Sequence, residues 1–149
     1  MQGQTQGELN DRGREQAREL AGQMASEHID VFVASDLWRA VETCNILSES
    51  YGAEVITTKL LRERDWGSFT GRYIPDLKDA EWPDDIETID GLKLRARCFL
   101  DFIRDNFPEK KVLAVGHGII NKAIQAVYYN KEMKDIAPMR NVEVRELSL

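Results

Sequence analysis

The chain has 149 residues, of which 42% are hydrophobic and 31% charged, a composition typical of a globular domain and not of a disordered segment. The formal net charge of -6 argues against nucleic acid or an anionic membrane as a partner, although it leaves room for a local basic pocket. Because the sequence has no run of 18 apolar residues and no signal peptide, it predicts a cytoplasmic protein.

The sequence contains no internal repeat and no low-complexity linker, which predicts one domain over residues 1–149. Cys44 and Cys98 are the only cysteines, and neither lies in a pair or near a histidine with the spacing of a zinc site. We therefore expect two reduced thiols packed against helices, and no metal.

Helical and strand-like segments alternate in the first part of the chain. The run DVFVAS is apolar without alternation, which is typical of a strand buried on both faces. The predicted elements are, in chain order, a helix capped by Asn10 or Asp11 and running to about Glu27, a strand over 30–35, a helix from about Leu37 that ends near Gly52, and a strand over 54–58.

The second part begins with an irregular stretch, from Leu60 to about Glu87, that is rich in glycine, proline and tryptophan and could cover a site as a lid. The elements predicted after it are a helix over 88–106, a strand over 111–116 and a helix over 119–130. The closing segment over 142–149 alternates as a strand does, with a phase slip near Arg145 that suits an edge strand or a bulge. Helices that alternate with buried strands predict a three-layer α/β/α fold with a mostly parallel sheet.

His117 stands between two glycines where the strand KVLAVG gives way to a helix. Ligands of open α/β sheets bind outside the carboxyl ends of the strands, where helix N-termini offer free N–H groups to anions. Gly116 and Gly118 allow a sharp turn and a close approach of the backbone to a ligand. An isolated histidine usually has a structural role, which we assign to His28, but this position favours a function for His117.

Two further side chains follow strands in the same way. Arg39 lies in the first turn of the helix after DVFVAS, and its planar guanidinium matches a phosphate group. Glu63 follows the strand at 54–58 and precedes a Gly-rich aromatic loop, where a carboxyl group can act as a general acid. Either residue alone would most often be an ordinary solvated surface residue.

Three segments taken in this order carry a family resemblance: SDLWRAVETCNIL, LRERDWGSFTG and VLAVGHGIINKAI. They resemble the histidine phosphatase superfamily, which includes phosphoglycerate mutases and many phosphomonoesterases. The first residues, QGQTQGELNDRGREQA, are similar to the loop and helix after the first strand of that family. The resemblance covers essentially the whole chain and implies a phosphoglycerate mutase-like fold.

The resemblance also implies roles for individual residues. In that family two histidines and two arginines form a phosphate pocket with an acidic residue nearby. Arg39 would be the second pocket arginine, Glu63 the proton donor and His117 the second histidine. Gln2 and Gly3 match the loop beside the bound phosphoryl group, and Gly118 lies where the backbone would approach the substrate.

The sequence departs from the family at one point. The family's first strand ends in Arg-His-Gly, whose histidine is the nucleophile, and no such segment occurs here. Met1 would then be an internal methionine or a point of truncation. We expect no phosphohistidine and little phosphatase activity from this chain alone. We also expect a gap inside the sheet, closed by shifted strands or filled in a homodimer or strand-swapped oligomer.

Three functions stay open at this point: a phosphatase acting on small phosphorylated metabolites, a phosphoglycerate mutase, and a binding module that holds phosphate ligands without turnover. The compact stretch between Glu63 and His117 favours a phosphatase over a mutase. Aromatic residues of the irregular stretch could form a wall for the leaving group, although they more often serve packing: Trp66, Phe69, Tyr73 and Trp82. No cofactor or metal is implied, since the positive charge of the pocket comes from side chains.

Overall fold

Helices and strands alternate along the chain, as the residue pattern predicts. The computed structural model describes residues 3–4, 6–71 and 82–149. The elements are α1 (Asp11–Gln23), β1 (Val31–Ser35), α2 (Trp38–Ser48), β2 (Val55–Thr58), α3 (Ile89–Asn106), β3 (Val112–Val115) and α4 (Gly118–Tyr129). Within these ranges no helix is both long enough and apolar enough to cross a membrane.

The three strands form a parallel sheet in the order β2-β1-β3. In the central strand, Val33 packs against α3 and α4, whereas Phe32 and Ala34 pack against α1 and α2. Both faces of β1 are therefore covered, which explains why its sequence is apolar without alternation. The predicted α/β fold with helices on both faces of a parallel sheet is confirmed.

Helix α1 begins as predicted but ends earlier. The side chain of Asn10 accepts a hydrogen bond from a first-turn amide, so it caps the helix. The helix stops at Gln23 instead of about Glu27 because the chain turns there. The single hydroxyl of Tyr51 donates toward the carbonyl oxygens of both Met24 (2.8 Å) and Glu27 (2.9 Å), and so holds the turn that follows the helix.

The predicted closing strand over 142–149 is wrong. Among the described residues this segment has no strand pairing, and Val142 has a φ of 54° that interrupts an extended conformation. The guanidinium of Arg145 instead donates to the side chain of Gln125 and to the carbonyl oxygen of Ala137, both at 2.8 Å. An alternating pattern forms a strand only beside a backbone that can pair with it, and this segment is held by side chains instead.

The sheet has no gap between its described strands, because β1 pairs directly with both β2 and β3. The expectation of two packed thiols is corrected. Cys44 is buried, and burial raises the pKa of its thiol to about 12, but Cys98 is exposed on α3 and not packed. The lid predicted over 60–87 includes residues 72–81, which lie outside the described residues. Its described part forms short 3-10 turns at Lys59–Leu61 and Gly67–Phe69.

In the described part of the chain no further strand pairs with the outer edge of β3, and Ala114 is exposed although it lies in a parallel sheet. Exposed strand edges pair readily with a second chain. We propose that this edge mediates self-association, which light scattering would detect as a molecular mass that rises with protein concentration. Ala114→Lys should return the protein to a monomer, since a charged side chain on an edge strand opposes pairing.

Leu94→Lys, which also places a lysine at an exposed apolar position, is the control for this prediction. It lies on α3 and should leave the association unchanged. A monomeric mass at every concentration, or equal dissociation of both variants, would contradict a role for the β3 edge.

Candidate functional site

The carboxyl ends of the three parallel strands lie at one edge of the sheet, and each is followed by a predicted site residue. Arg39 is the second residue of α2, which follows β1, and His117 immediately precedes α4, which follows β3. Glu63 follows β2 after a short 3-10 turn. The structure thus brings Arg39, Glu63 and His117 together, as expected for strands that end at a common edge.

His117 is half-buried at the start of α4. It occupies the N-cap position in an extended conformation, but its side chain does not cap the helix. Its Nε2 atom is buried and has no hydrogen-bond partner among the described residues. Burial lowers the pKa of His117 to about 4, and the positive charges of Arg39 and Arg95 act in the same direction. The imidazole is therefore neutral at pH 7, with one nitrogen available to a bound group.

Glu63 caps α4 in place of His117. Its carboxylate oxygens accept hydrogen bonds from the backbone N–H groups of Ile119 (3.1 Å) and Ile120 (3.0 Å). A third backbone N–H, that of Arg64, donates to the same carboxylate at 3.0 Å. We expected these free helix amides to bind a ligand anion, and that expectation is corrected: an acidic side chain from a distant loop occupies them.

Arg39 interacts electrostatically with both other site residues. One guanidinium nitrogen, Nη2, donates to the carbonyl oxygen of Gly3 at 3.1 Å. Burial lowers the pKa of Arg39, and the negative charge of Glu63 opposes this shift. An arginine remains charged at neutral pH even when partly buried, so the site contains a fixed positive charge close to a neutral imidazole.

The predicted substrate-binding positions differ in their surroundings. Gly3 is buried with a φ of 54°, and a Cβ atom there would lie 3.3 Å from Cδ1 of Trp66. Its small size lets the loop lie between Arg39 and Trp66. Gly118 begins α4, and a Cβ atom there would be 4.0 Å from Oε2 of Glu63, which is an ordinary contact. Gln2 lies outside the described residues.

The aromatic residues divide into packed and exposed members. Trp66 and Phe69 are buried, whereas Trp82 is 51% exposed and contacts both rings. The guanidinium of Arg64 lies 4.7 Å from the ring centroid of Trp66. Tyr73 lies outside the described residues. Packing therefore accounts for Trp66 and Phe69, whereas the ring of Trp82 covers them and stays about half exposed.

Two ion pairs that sequence reasoning missed support the loop that carries Glu63. Arg62 donates two hydrogen bonds of 2.7 Å to the carboxylate of Asp36, which directly follows β1. On α3, Arg95 pairs with Glu87. Arg95 could have been found from the sequence, because it lies three residues after Leu92 on the buried stripe of the helix, where a charged residue is unusual.

The comparisons with known proteins point to one family. The model of the histidine phosphatase superfamily (branch 1) matches residues 1–149. An uncharacterised phosphatase, PhoE of Bacillus subtilis, is 33% identical over 121 residues, which cover 78% of this chain and 62% of the relative. Phosphoglycerate mutase-like protein 4 of Arabidopsis thaliana is 30% identical over 141 residues, which cover 83% of this chain and 61% of that protein.

One solved structure has the same fold as this chain. The mycobacterial glucosyl-3-phosphoglycerate phosphatase in complex with inorganic phosphate superposes with a TM-score of 0.85 at 26% identity, over 95% of this chain and 80% of that one. The chain spans about three fifths of the length of the curated relatives that it matches. It belongs to the histidine phosphatase superfamily.

Proposed function

We propose that the protein hydrolyses small phosphate monoesters, and that Arg39, Glu63 and His117 surround the phosphoryl group. The observation that carries this proposal is the buried Nε2 atom of His117, which has no partner in the described part of the chain and lies close to the charge of Arg39. A buried polar atom without a partner is costly unless a ligand supplies one. A phosphoryl oxygen beside a guanidinium is a suitable partner.

The proposed reaction has two steps. An imidazole nitrogen attacks phosphorus, the bond to the ester oxygen breaks, and Glu63 gives its proton to the departing alkoxide. Water, deprotonated by the same carboxylate, then attacks the phosphohistidine and releases phosphate. Arg39 and His117 stabilise the charge on the phosphoryl oxygens in both steps.

The attacking imidazole is the component that we do not assign within these residues. Only His28 and His117 occur in the 149 residues. His28 is exposed and hydrogen-bonded to Asp30, whereas His117 is assigned to the phosphoryl oxygens. We therefore propose that the 149-residue chain binds phosphate but hydrolyses esters slowly, because removal of a nucleophile abolishes most of the rate enhancement of the groups that work with it.

Hydrolysis is favoured over phosphoryl transfer between metabolites. A mutase has to keep water away from its phosphoenzyme, whereas a phosphatase admits it. The compact stretch between Glu63 and His117 favours a phosphatase over a mutase. Among the similar proteins, the phosphatase from Bacillus subtilis and the mycobacterial phosphatase support the same choice.

The experiment adds a synthetic peptide with the Arg-His-Gly strand of the family to the 149-residue chain and follows release of phosphate from p-nitrophenyl phosphate. We expect slow release by the chain alone and a clear increase with the peptide. A peptide with alanine in place of its histidine is the control and should give no increase. Binding of inorganic phosphate without any rescue would favour a non-catalytic binding module instead.

Two results would overturn the proposal. If the chain neither binds phosphate nor is rescued by the peptide, the site does not hold a phosphoryl group. Fast release by the mass-checked chain alone would show that a nucleophile is present within the 149 residues.

A further inference from the structure

Arg95 is a largely enclosed arginine that binds both Glu87 and the backbone of the loop that carries Glu63. Its side chain is 16% exposed. Nε and Nη2 donate to the two carboxylate oxygens of Glu87 at 2.9 and 2.8 Å. Nη1 donates to the carbonyl oxygens of Leu60 (3.0 Å) and Arg62 (2.6 Å), and Nη2 lies 3.4 Å from the carbonyl oxygen of Glu63.

Glu87 extends this contact to the other side of Glu63. Its backbone N–H donates to the carbonyl oxygen of Asp65 at 2.8 Å, and Oε1 accepts the backbone N–H of Asp65 at 3.0 Å. Nε of Arg64 donates to the backbone carbonyl of Glu87 at 2.8 Å. The pair formed by Arg95 and Glu87 therefore holds the backbone both before and after Glu63.

Stability alone is a weak explanation for this pair. Removing two charges from water is costly, and well-packed apolar residues in the same space are often at least as stabilising. The neighbouring positions on this face of α3, Leu92 and Phe99, are apolar and buried. The charged pair can instead fix the backbone, since the planar guanidinium of Arg95 holds several carbonyl groups at fixed positions.

We propose that Arg95 is a positioning residue, which holds the loop so that the carboxylate of Glu63 reaches the backbone N–H groups of Ile119 and Ile120 beside His117. Arg95 does not touch the phosphoryl group in this scheme and acts through Glu63. The catalytic role of Arg95 rests on the proposed function, in which Glu63 is the proton donor. The effect of Arg95 on the placement of Glu63 can be tested without any turnover.

Amide hydrogen exchange of Ile119 and Ile120 measures the position of Glu63 directly. Arg95→Lys keeps the positive charge, but its three donors lie on one nitrogen and cannot replace five contacts that spread over the three nitrogens of the guanidinium. We expect it to speed exchange at these two amides roughly tenfold. Amides deeper in α4, such as that of Ala123, should keep their exchange rates. Arg104→Lys, an exposed position on the same helix, is the control and should change neither.

A double variant separates positioning from a general structural role. Glu63→Ala removes the capping carboxylate, so combining it with Arg95→Lys should produce no further loss of protection at Ile119 and Ile120. If Arg95 only stabilises the fold, the two effects add and exchange accelerates throughout the core. Additive effects, or unchanged exchange at Ile119 and Ile120 in Arg95→Lys, would overturn the proposal. Arg95→Met, which also removes the charge, should reproduce the local effect if it folds.

The peptide-supplemented chain provides a second measurement. Loss of a correctly placed proton donor slows esters with poor leaving groups more than p-nitrophenyl phosphate. We expect Arg95→Lys to lower kcat for an alkyl phosphate at least tenfold more than kcat for p-nitrophenyl phosphate. Equal losses would contradict an action through Glu63. If no rescue occurs at all, the proposed function fails while the exchange result still decides the position of Glu63.

Discussion

The contribution of His117 to the free energy of unfolding is expected to fall by about 3 kcal/mol between pH 7 and pH 4, and it is the main cause of lost stability above pH 5. Burial lowers its pKa to about 4 from an ordinary value of 6.5. As the pH falls below 6.5, His117 binds a proton in the unfolded chain but stays neutral in the folded chain. The stability is thus present above pH 6.5 and is lost as the pH falls toward 4.

Denaturation by urea at a series of pH values measures this loss. His117→Gln has no group that titrates in this range, so its free energy of unfolding should vary much less between pH 6.5 and pH 5. His28→Gln is the matched control, since His28 is 82% exposed and lies away from the site. The control should keep the pH dependence of the parent chain. An undiminished pH dependence in His117→Gln would show that His117 is not buried as a neutral group.

Acidic side chains add to the loss of stability at lower pH. Hydrogen bonds from Arg62 lower the pKa of Asp36, outweighing its burial. A carboxylate with a lowered pKa stabilises the fold above its unfolded pKa, and this contribution disappears as the pH falls through the folded value. The difference between parent and His117→Gln therefore has to be measured above pH 5, where carboxylates contribute little.

Arg39→Met is expected to weaken binding of inorganic phosphate roughly 10- to 100-fold, the range for loss of a charge-assisted hydrogen-bonded group. Methionine occupies similar space but has neither the charge nor the donors. The guanidinium of Arg39 is partly buried, so solvent screens its attraction to phosphate less than it would at the surface. Titration calorimetry of the 149-residue chain with phosphate, at low ionic strength, measures the change.

Arg104→Met removes the same charge from the exposed surface of α3 and is the control for long-range electrostatics. It should leave phosphate affinity nearly unchanged. Arg39→Lys adds a second comparison, because it keeps the charge and loses the planar fork, and an intermediate affinity is expected. If Arg39→Met binds phosphate as tightly as the parent chain, Arg39 is not part of the phosphate site.

Most of the fold could be predicted from the local pattern of apolar and polar residues. The apolar run in β1 has no alternation because helices cover both of its faces, and Asn10 caps α1 as a short polar residue before an apolar stripe should. The errors arose where a distant partner decides the outcome. Tyr51 holds the turn after α1 through the carbonyl oxygens of Met24 and Glu27, and residues 142–149 alternate but have no backbone beside them to pair with in the described chain.

Residue types and their order along the chain were sufficient to predict helices that alternate with parallel strands and a site where Arg39, Glu63 and His117 meet, because parallel strands end at one edge. The tertiary structure alone decided which groups bond there. Glu63 caps a helix that begins more than 50 residues later, and Arg95 reaches back more than 30 residues to hold its loop. Such partners, and the burial that keeps His117 neutral, depend on how layers pack in space, which no local pattern of residues encodes.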